Sequence, residues 1–389
     1  MKILLLQDHI YLPSYGGGVK ANRMLLEGLA RRGHECAAIT PALAPSAGPA
    51  NDHEFHEEME RRGLAVRARV PNVSSYRFRG VEVDALHAPP PEQMREHVEQ
   101  RTRELNPDWV LVNDDKGRVL VAAALSAAGR ERVVLVLQTI TNTPFGPLAV
   151  APSREHARRM HEVRAIVTIS AVLQRYVAEY GGLQSTVLRL PVYGDGPFPA
   201  AARRDHGYVT MVNPCLEKGV DVFLPLAREL PEVAFAAVRG WGTDPTLLGE
   251  LEEQPNVRVL EPADDLDEVL ASTRVLLAPS LWPETFGYIV PEAMLRGIPV
   301  LASDAGGLRE AALGAATLLP IALLERRNGH YAARPQEIGP WKTALQRLLA
   351  DSEEYGRRAT EAHKAAHEFV STAKAECFES FLEALDRRP

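Results

Sequence analysis

Cysteine is scarce in this sequence: Cys36, Cys215 and Cys377 are the only three in 389 residues. They are odd in number and far apart. That excludes a disulfide framework and a cysteine-spaced metal site, and it points to a reducing compartment. A positive excess is also missing. Lys and Arg number 44 against 51 Asp and Glu, for a net charge of -7. Such a balance does not suit a protein that tracks a nucleic-acid backbone. An anionic small ligand stays open, because a few local cations and helix amides suffice for one. Arg154, His156, Arg158, Arg159, His161 and Arg164 form one basic cluster. It reads as a solvated helix face, with contact to an anionic surface or acceptor as the alternative. Long apolar runs are absent as well. The opening run Ile3 to Leu6 stops at Gln7-Asp8, too short for a signal peptide, and reads as a first strand. No stretch approaches the length of a membrane span. A cytoplasmic location is expected, with peripheral contact to a membrane surface left open.

What is present is an ordinary globular composition, 46% hydrophobic and 24% charged. The length predicts two domains, each able to bury a core. Strand and helix patterns alternate, which predicts an α/β fold with parallel sheets. Ile3–Leu6 reads as a strand, Val19–Arg32 as a helix and Cys36–Thr40 as the next strand. Further strands are expected at Leu64–Val70, Val81–Leu86, Trp109–Val112, Arg132–Leu137 and Ala165–Ile169. Residues 41 to 62 read as a loop or a short helix. Pro191 to Pro199 is dense in proline and glycine, and the polar Arg203-Arg204-Asp205-His206 follows. That segment breaks both periodicities and predicts a hinge. The expected domains are 1–192 and 193–365, with a helix at 366–389 able to cross back to the first. In the second half, strands are expected at Tyr208–Val212, Ala234–Val238, Val257–Leu260, Val275–Ala278 and Val300–Ala302. Helices are expected from about Leu266, Phe286 and Leu308. Two such domains predict a cleft, with ligands gathered beyond the C-terminal strand edges.

The glycine turn Gly16-Gly17-Gly18 matches neither the dinucleotide fingerprint nor a Walker loop. Either it starts a helix, or Gly17 and Gly18 let backbone amides approach a phosphate. The segment Pro283-Glu284-Thr285-Phe286-Gly287 to Pro291-Glu292 is more informative. A strand ends just before it and a helix is expected inside it. Its amides suit a diphosphate, and its two glutamates can accept hydroxyl hydrogen bonds. The acidic pairs Asp114-Asp115 and Asp264-Asp265 are not Asp-x-Asp. Asp114 is a candidate for a sugar hydroxyl, while Asp264 and Asp265 read as helix caps.

Together with Lys218-Gly219, Gly240-Trp241-Gly242, Gly297-Ile298-Pro299-Val300 and Ser303 to Glu310, this segment resembles the retaining glycosyltransferases of family four. Glu284 and Glu292 match that family's pair of glutamates separated by seven residues. The resemblance covers nearly the whole chain and is strongest over 205–312. It implies the GT-B fold, two facing Rossmann-like domains, and a metal-independent, retaining sugar transfer. It implies that Glu292 binds the ribose and Glu284 the donor sugar. Thr285, Phe286 and Gly287 would place amides on the diphosphate, and Lys218 would neutralise the leaving phosphate. The nucleobase would lie beside Pro262, and Gly17 and Gly18 would line the phosphate side from the first domain.

Two positions depart from the family. Asn213 stands five residues before Lys218, where the family has an arginine, and Arg239 is the candidate replacement. Gln138 to Pro147 stands where many members have a histidine. Its Thr139 and Asn142 can orient an acceptor hydroxyl, but neither is a general base. The front-face route, in which the leaving phosphate takes the acceptor proton, fits that loop. No cofactor is expected beyond a nucleotide diphosphate-sugar donor, whether UDP-, GDP- or another base. The acceptor is a small molecule or glycan, and the chain a monomer or homodimer. Two other readings stand beside this one. They are a nucleotide-sugar epimerase of the same fold and a nucleotide-sugar-binding protein without turnover.

Overall fold

The computed structural model describes residues 1–46, 48–88, 90–114, 118–199, 205–327 and 330–387. Asp115, Arg203 and Arg204, singled out above, lie outside the described residues. The chain separates into two compact units. The first is Met1–Gly194 with Thr372–Pro389, and the second is Asp195–Ser371. The α/β alternation read from the sequence is present in both.

The first unit is built on nine strands. They are β1 (Lys2–Gln7), β2 (Glu35–Pro41), β3 (Arg67–Val70), β4 (Val73–Phe78), β5 (Val81–Leu86), β6 (Trp109–Asn113), β7 (Val133–Leu137), β8 (Ala165–Thr168) and β9 (Thr186–Val187). Their order is β3-β4-β5-β2-β1-β6-β7-β8-β9. From β5 to β9 every pairing is parallel. The central strands β6 and β7 are buried at every residue, as their unbroken apolar sequences require.

One edge departs from expectation. Leu64–Val70 holds only the short strand β3, and the next strand, β4, has no counterpart in the sequence reading. β4 pairs antiparallel with β5, and β3 pairs antiparallel with β4 at the edge. The β4–β5 turn is Arg79-Gly80, with φ of 45° and 90°. Two positive φ values in a two-residue loop match the twist of a hairpin. The polar face of these strands, Arg67 to Arg77, masks their alternation.

The C-terminal helix Ala375–Asp386 belongs to the first unit and packs on the helix Gly17–Arg31. Gly28 makes the approach possible, since a Cβ there would lie 2.7 Å from the Ala375 Cβ. Arg32 donates to Glu376 at 2.8 Å and to Glu379 at 2.6 Å, and His34 lies 2.6 Å from Glu379.

The second unit carries a six-stranded sheet. Its strands are β10 (Tyr208–Val212), β11 (Phe235–Val238), β12 (Val257–Leu260), β13 (Thr273–Ala278), β14 (Val300–Ser303) and β15 (Thr317–Leu319). All pairings are parallel, in the order β12-β11-β10-β13-β14-β15. Counted from β10 this is the doubly wound Rossmann order, which reverses between its first and fourth strands. Phe223, Phe235 and Trp341 are fully buried in its core. Ligands of such sheets gather at the C-terminal ends beside the reversal, here the loops after β10 and β13.

Candidate donor site

Those two loops are locked to each other. Gly219, at φ +89°, ends the loop after β10, and a Cβ there would lie 1.9 Å from the Pro279 carbonyl oxygen. Only glycine allows that crossing. The Leu281 amide then donates to the Glu217 carbonyl at 2.9 Å. As a result Lys218 Nζ donates to Glu284 Oε1 at 2.5 Å, across 66 residues of sequence. Ser280 Oγ donates to the same oxygen at 2.8 Å. The Lys218 ammonium also lies 5.2 Å from the centre of the Trp282 ring. The two side chains are largely shielded, 23% and 11% exposed.

Burial alone would push the Glu284 carboxyl up. The Lys218 charge and the hydrogen bonds from Lys218 and Ser280 outweigh it and hold the group below the usual carboxylate range. Glu284 is therefore ionised at neutral pH. Cys215, in the same loop as Lys218, is pushed up to about 12 by burial. It is a neutral thiol and no nucleophile.

A third loop braces the backbone that carries Glu284. The Gly307 amide donates to the Glu284 carbonyl at 2.7 Å. A Cβ at Gly307 would lie 2.2 Å from the Thr285 carbonyl oxygen. The Gly306-Gly307 turn thus supports the glutamate loop. The helix expected from Phe286 begins later, at Ile289, and ends at Met294. Thr285, Phe286 and Gly287 precede it, with Gly287 at φ +100°. Pro291 falls in the first turn, where its missing N–H breaks no helical bond, so it neither kinks nor restarts the helix. The Phe286 ring is a core group stacked on Phe369, centres 5.6 Å apart. Glu292 is 7% exposed on this helix. Arg296 Nη1 donates to the Glu292 carbonyl at 2.7 Å, and Arg296 also pairs with Asp267.

Asn213 has a structural task. It adopts φ +58° and is 6% exposed. Its Oδ1 accepts from the Gly242 amide at 2.9 Å, tying the loop after β11 to the end of β10. Arg239, the candidate second cation, donates to Glu261 at 2.9 Å, joining the ends of β11 and β12. Pro262 follows and is half-buried. Asp265 caps a helix as expected, its Oδ1 accepting from the Asp267 amide at 2.9 Å.

In the first unit, Gly17 opens the helix Gly17–Arg31 and Gly18 lies against Gln138. Gln138 Nε2 donates to the Gly18 carbonyl at 3.1 Å and to Asn22 Oδ1 at 2.6 Å. Asn22 Nδ2 donates to Gln7 Oε1 at 3.0 Å and to Asn113 Oδ1 at 3.2 Å. These four buried amides join the ends of β1, β6 and β7 to the glycine turn. Sequence reasoning missed the network. Its signal is an amide after each of three strand patterns, which gains meaning only once the strands are neighbours.

Asp114 is 6% exposed, and its Oδ2 accepts from the Val121 amide at 3.0 Å. It serves the start of the helix Leu120–Ala128. Thr139 and Asn142 are half-buried around a short 3-10 turn, with the Asn142 amide donating to the Thr139 carbonyl at 3.3 Å. The basic cluster is not wholly a solvated face: His156 is 6% exposed, while Arg158 and Arg159 pair with Glu162 and Glu155. Among the described residues, no group of three or more His, Cys, Asp or Glu is placed to hold a metal ion. Among them too, no helix is long and apolar enough to cross a membrane.

Comparison with known proteins adds to this geometry. Residues 203–351 match the family model described as "Glycosyl transferases group 1". The chain is 28% identical over 153 residues to an alpha-1,3/1,6-mannosyltransferase alg-2 of Neurospora crassa, covering 37% of this chain and 30% of that protein. It is 35% identical over 127 residues to a D-inositol 3-phosphate glycosyltransferase of Nocardia farcinica, covering 32% and 25%. The chain thus spans less than half the length of these curated relatives. Among solved structures it is similar to Anabaena Alr3699/HepE in complex with UDP-glucose, with TM-score 0.68, 18% identity and full coverage of both chains. Sucrose-phosphate synthase from Thermosynechococcus elongatus gives TM-score 0.69 at 16% identity, covering 99% and 98%. The structural likenesses establish a fold of two separate Rossmann-like units consistent with GT-B architecture, and the family match falls on the unit that carries Lys218 and Glu284.

Proposed function

We propose that the chain is a retaining, metal-independent glycosyltransferase of family four, moving a sugar from a nucleotide diphosphate-sugar to an acceptor hydroxyl. The observation that carries this is the Lys218–Glu284 pair at the strand reversal of the second sheet, inside the matched region. The second unit takes the donor. Glu292 serves the ribose, the backbone of Thr285 to Gly287 the diphosphate and Glu284 the sugar hydroxyls. Lys218 turns from Glu284 to the diphosphate. When the bond from the sugar carbon to the phosphate oxygen breaks, negative charge grows on that oxygen, and a fixed ammonium lowers the barrier. The acceptor oxygen bonds to the same face of the sugar carbon, and its proton passes to the leaving phosphate oxygen. Thr139 and Asn142 orient the acceptor. Asp114 and Arg239, engaged at Val121 and Glu261, are weaker candidates for ligand contacts than the sequence alone makes them. UDP is the first donor base to try, since the similar Anabaena structure holds UDP-glucose.

The test incubates purified protein with nucleotide-sugars and a panel of small-molecule and glycan acceptors. An alpha donor should yield an alpha product and one equivalent of nucleoside diphosphate. Lys218→Met and Glu284→Gln should each lower turnover by about a hundredfold or more. An inverted product, or full activity in both variants, refutes the assignment.

A further inference from the structure

We infer that Trp241 is the surface on which the nucleobase of a bound nucleoside diphosphate stacks, an inference that rests on the donor-site reading above. Trp241 is a large apolar side chain left 44% exposed. It is nevertheless held on a stapled loop. On one side of it, the Gly242 amide donates to Asn213 Oδ1 at 2.9 Å. On the other, the Gly240 amide donates to Thr243 Oγ1 at 3.2 Å, and that hydroxyl donates to the Pro214 carbonyl at 3.2 Å. Gly242 presses on Cys215 so closely that a Cβ would lie 2.6 Å from the cysteine Cβ. An aromatic ring presented this way loses little freedom when it meets a ligand.

The ring's neighbours select the ligand. Trp241 and Trp282 have ring centres 6.2 Å apart at a tilt of 40°. Trp282 carries the Lys218 ammonium on its face. Trp241 therefore stands one ring beyond the cation that receives the diphosphate. Its strand, β11, lies between β10 and β12 in the sheet. The Arg239–Glu261 pair ties the ends of β11 and β12 together, next to Pro262. In a sheet of this order, a nucleotide with its diphosphate at the loop after the first strand carries its nucleoside over the end of the second, here β11, where Trp241 stands. Asn213 is then a positioning residue: it fixes the loop that carries the ring. Stacking on an indole tolerates any base, because every base has a π face.

The test titrates the full chain with UDP, ADP and GDP, with the matching nucleotide-sugars, and with inorganic pyrophosphate. Wild type, Trp241→Ala and Trp241→Phe are compared by calorimetry and by tryptophan fluorescence. Nucleoside diphosphates should quench the wild-type emission. Trp241→Ala should lose that quench and bind nucleoside diphosphates about tenfold to a hundredfold more weakly. Trp241→Phe should keep most of the affinity, and pyrophosphate should bind all three equally. Unchanged nucleoside diphosphate affinity in Trp241→Ala overturns the inference alone. So does a loss confined to nucleotide-sugars, which would make the ring a sugar contact. An equal loss for pyrophosphate overturns it too, by showing a disrupted loop. Wild type that binds no nucleoside diphosphate overturns both this inference and the donor-site reading.

Discussion

Both units are built on parallel strands, the first with an added antiparallel edge, but they finish their strand ends with different chemistry. In the first, Gln7, Asn22, Asn113 and Gln138 interlock as neutral amides. In the second, Lys218 and Glu284 meet as opposite charges. Neutral amides fix the position of a backbone turn and create little field. A charged pair creates a field and can be divided, the cation going to one part of a ligand and the carboxylate to another. The difference teaches why the second unit announces its chemistry in sequence and the first does not.

The largest expected effect breaks the crossing that creates the charged pair. Gly219→Val should destabilise the second unit by about 3 kcal/mol or more, since both its φ and the Pro279 carbonyl forbid a side chain. Denaturant unfolding can separate the units, because Trp341 is buried in the second and Trp109 in the first. A lowered midpoint for the first unit alone would contradict the argument. Next is the neutral network. Asn22→Leu should lower the stability of the first unit by about 2 kcal/mol, with equal loss at pH 5 and pH 9. Strong pH dependence there would mean a charged group takes part.

The smallest effect is the most diagnostic. Lys218→Met should lower the stability of the second unit by about 1–2 kcal/mol at pH 7, as the pair is only partly buried. The sign follows from Glu284, whose carboxyl is depressed in the folded state. Its contribution is present above the unfolded value of about 4.3 and is lost as pH falls through the lower folded value. The gap between wild type and variant should therefore shrink at about pH 3. A gap of the same size at both pH values would show that the ion pair does not carry it.

Much of the fold was legible because it is local. The run Val133–Leu137 is apolar throughout and becomes a strand buried at every residue. The stretch from Val19 to Arg32 reads as a helix and forms one over Gly17–Arg31. Where polar residues hid the alternation, as in β3 and β4, the reading lost a strand. The Phe286 expectation failed for a related reason. Gly287 adopts a left-handed φ that holds off the helix until Ile289, and nothing in residue spacing reports that.

In the site, the sequence by itself determined which residues carry charge and amides near strand ends: Lys218, Glu284, Glu292 and the glycines around them. It did so because a strand, a tight loop and a following helix are short-range patterns. Only the tertiary structure decided that Lys218 reaches Glu284 across 66 residues, that Asn213 holds a loop rather than supplying a cation's place, and that Trp241 stands beside Trp282. Each of those depends on which strands lie side by side, and the order β12-β11-β10-β13 is a property of packed helices and crossovers that no local periodicity encodes.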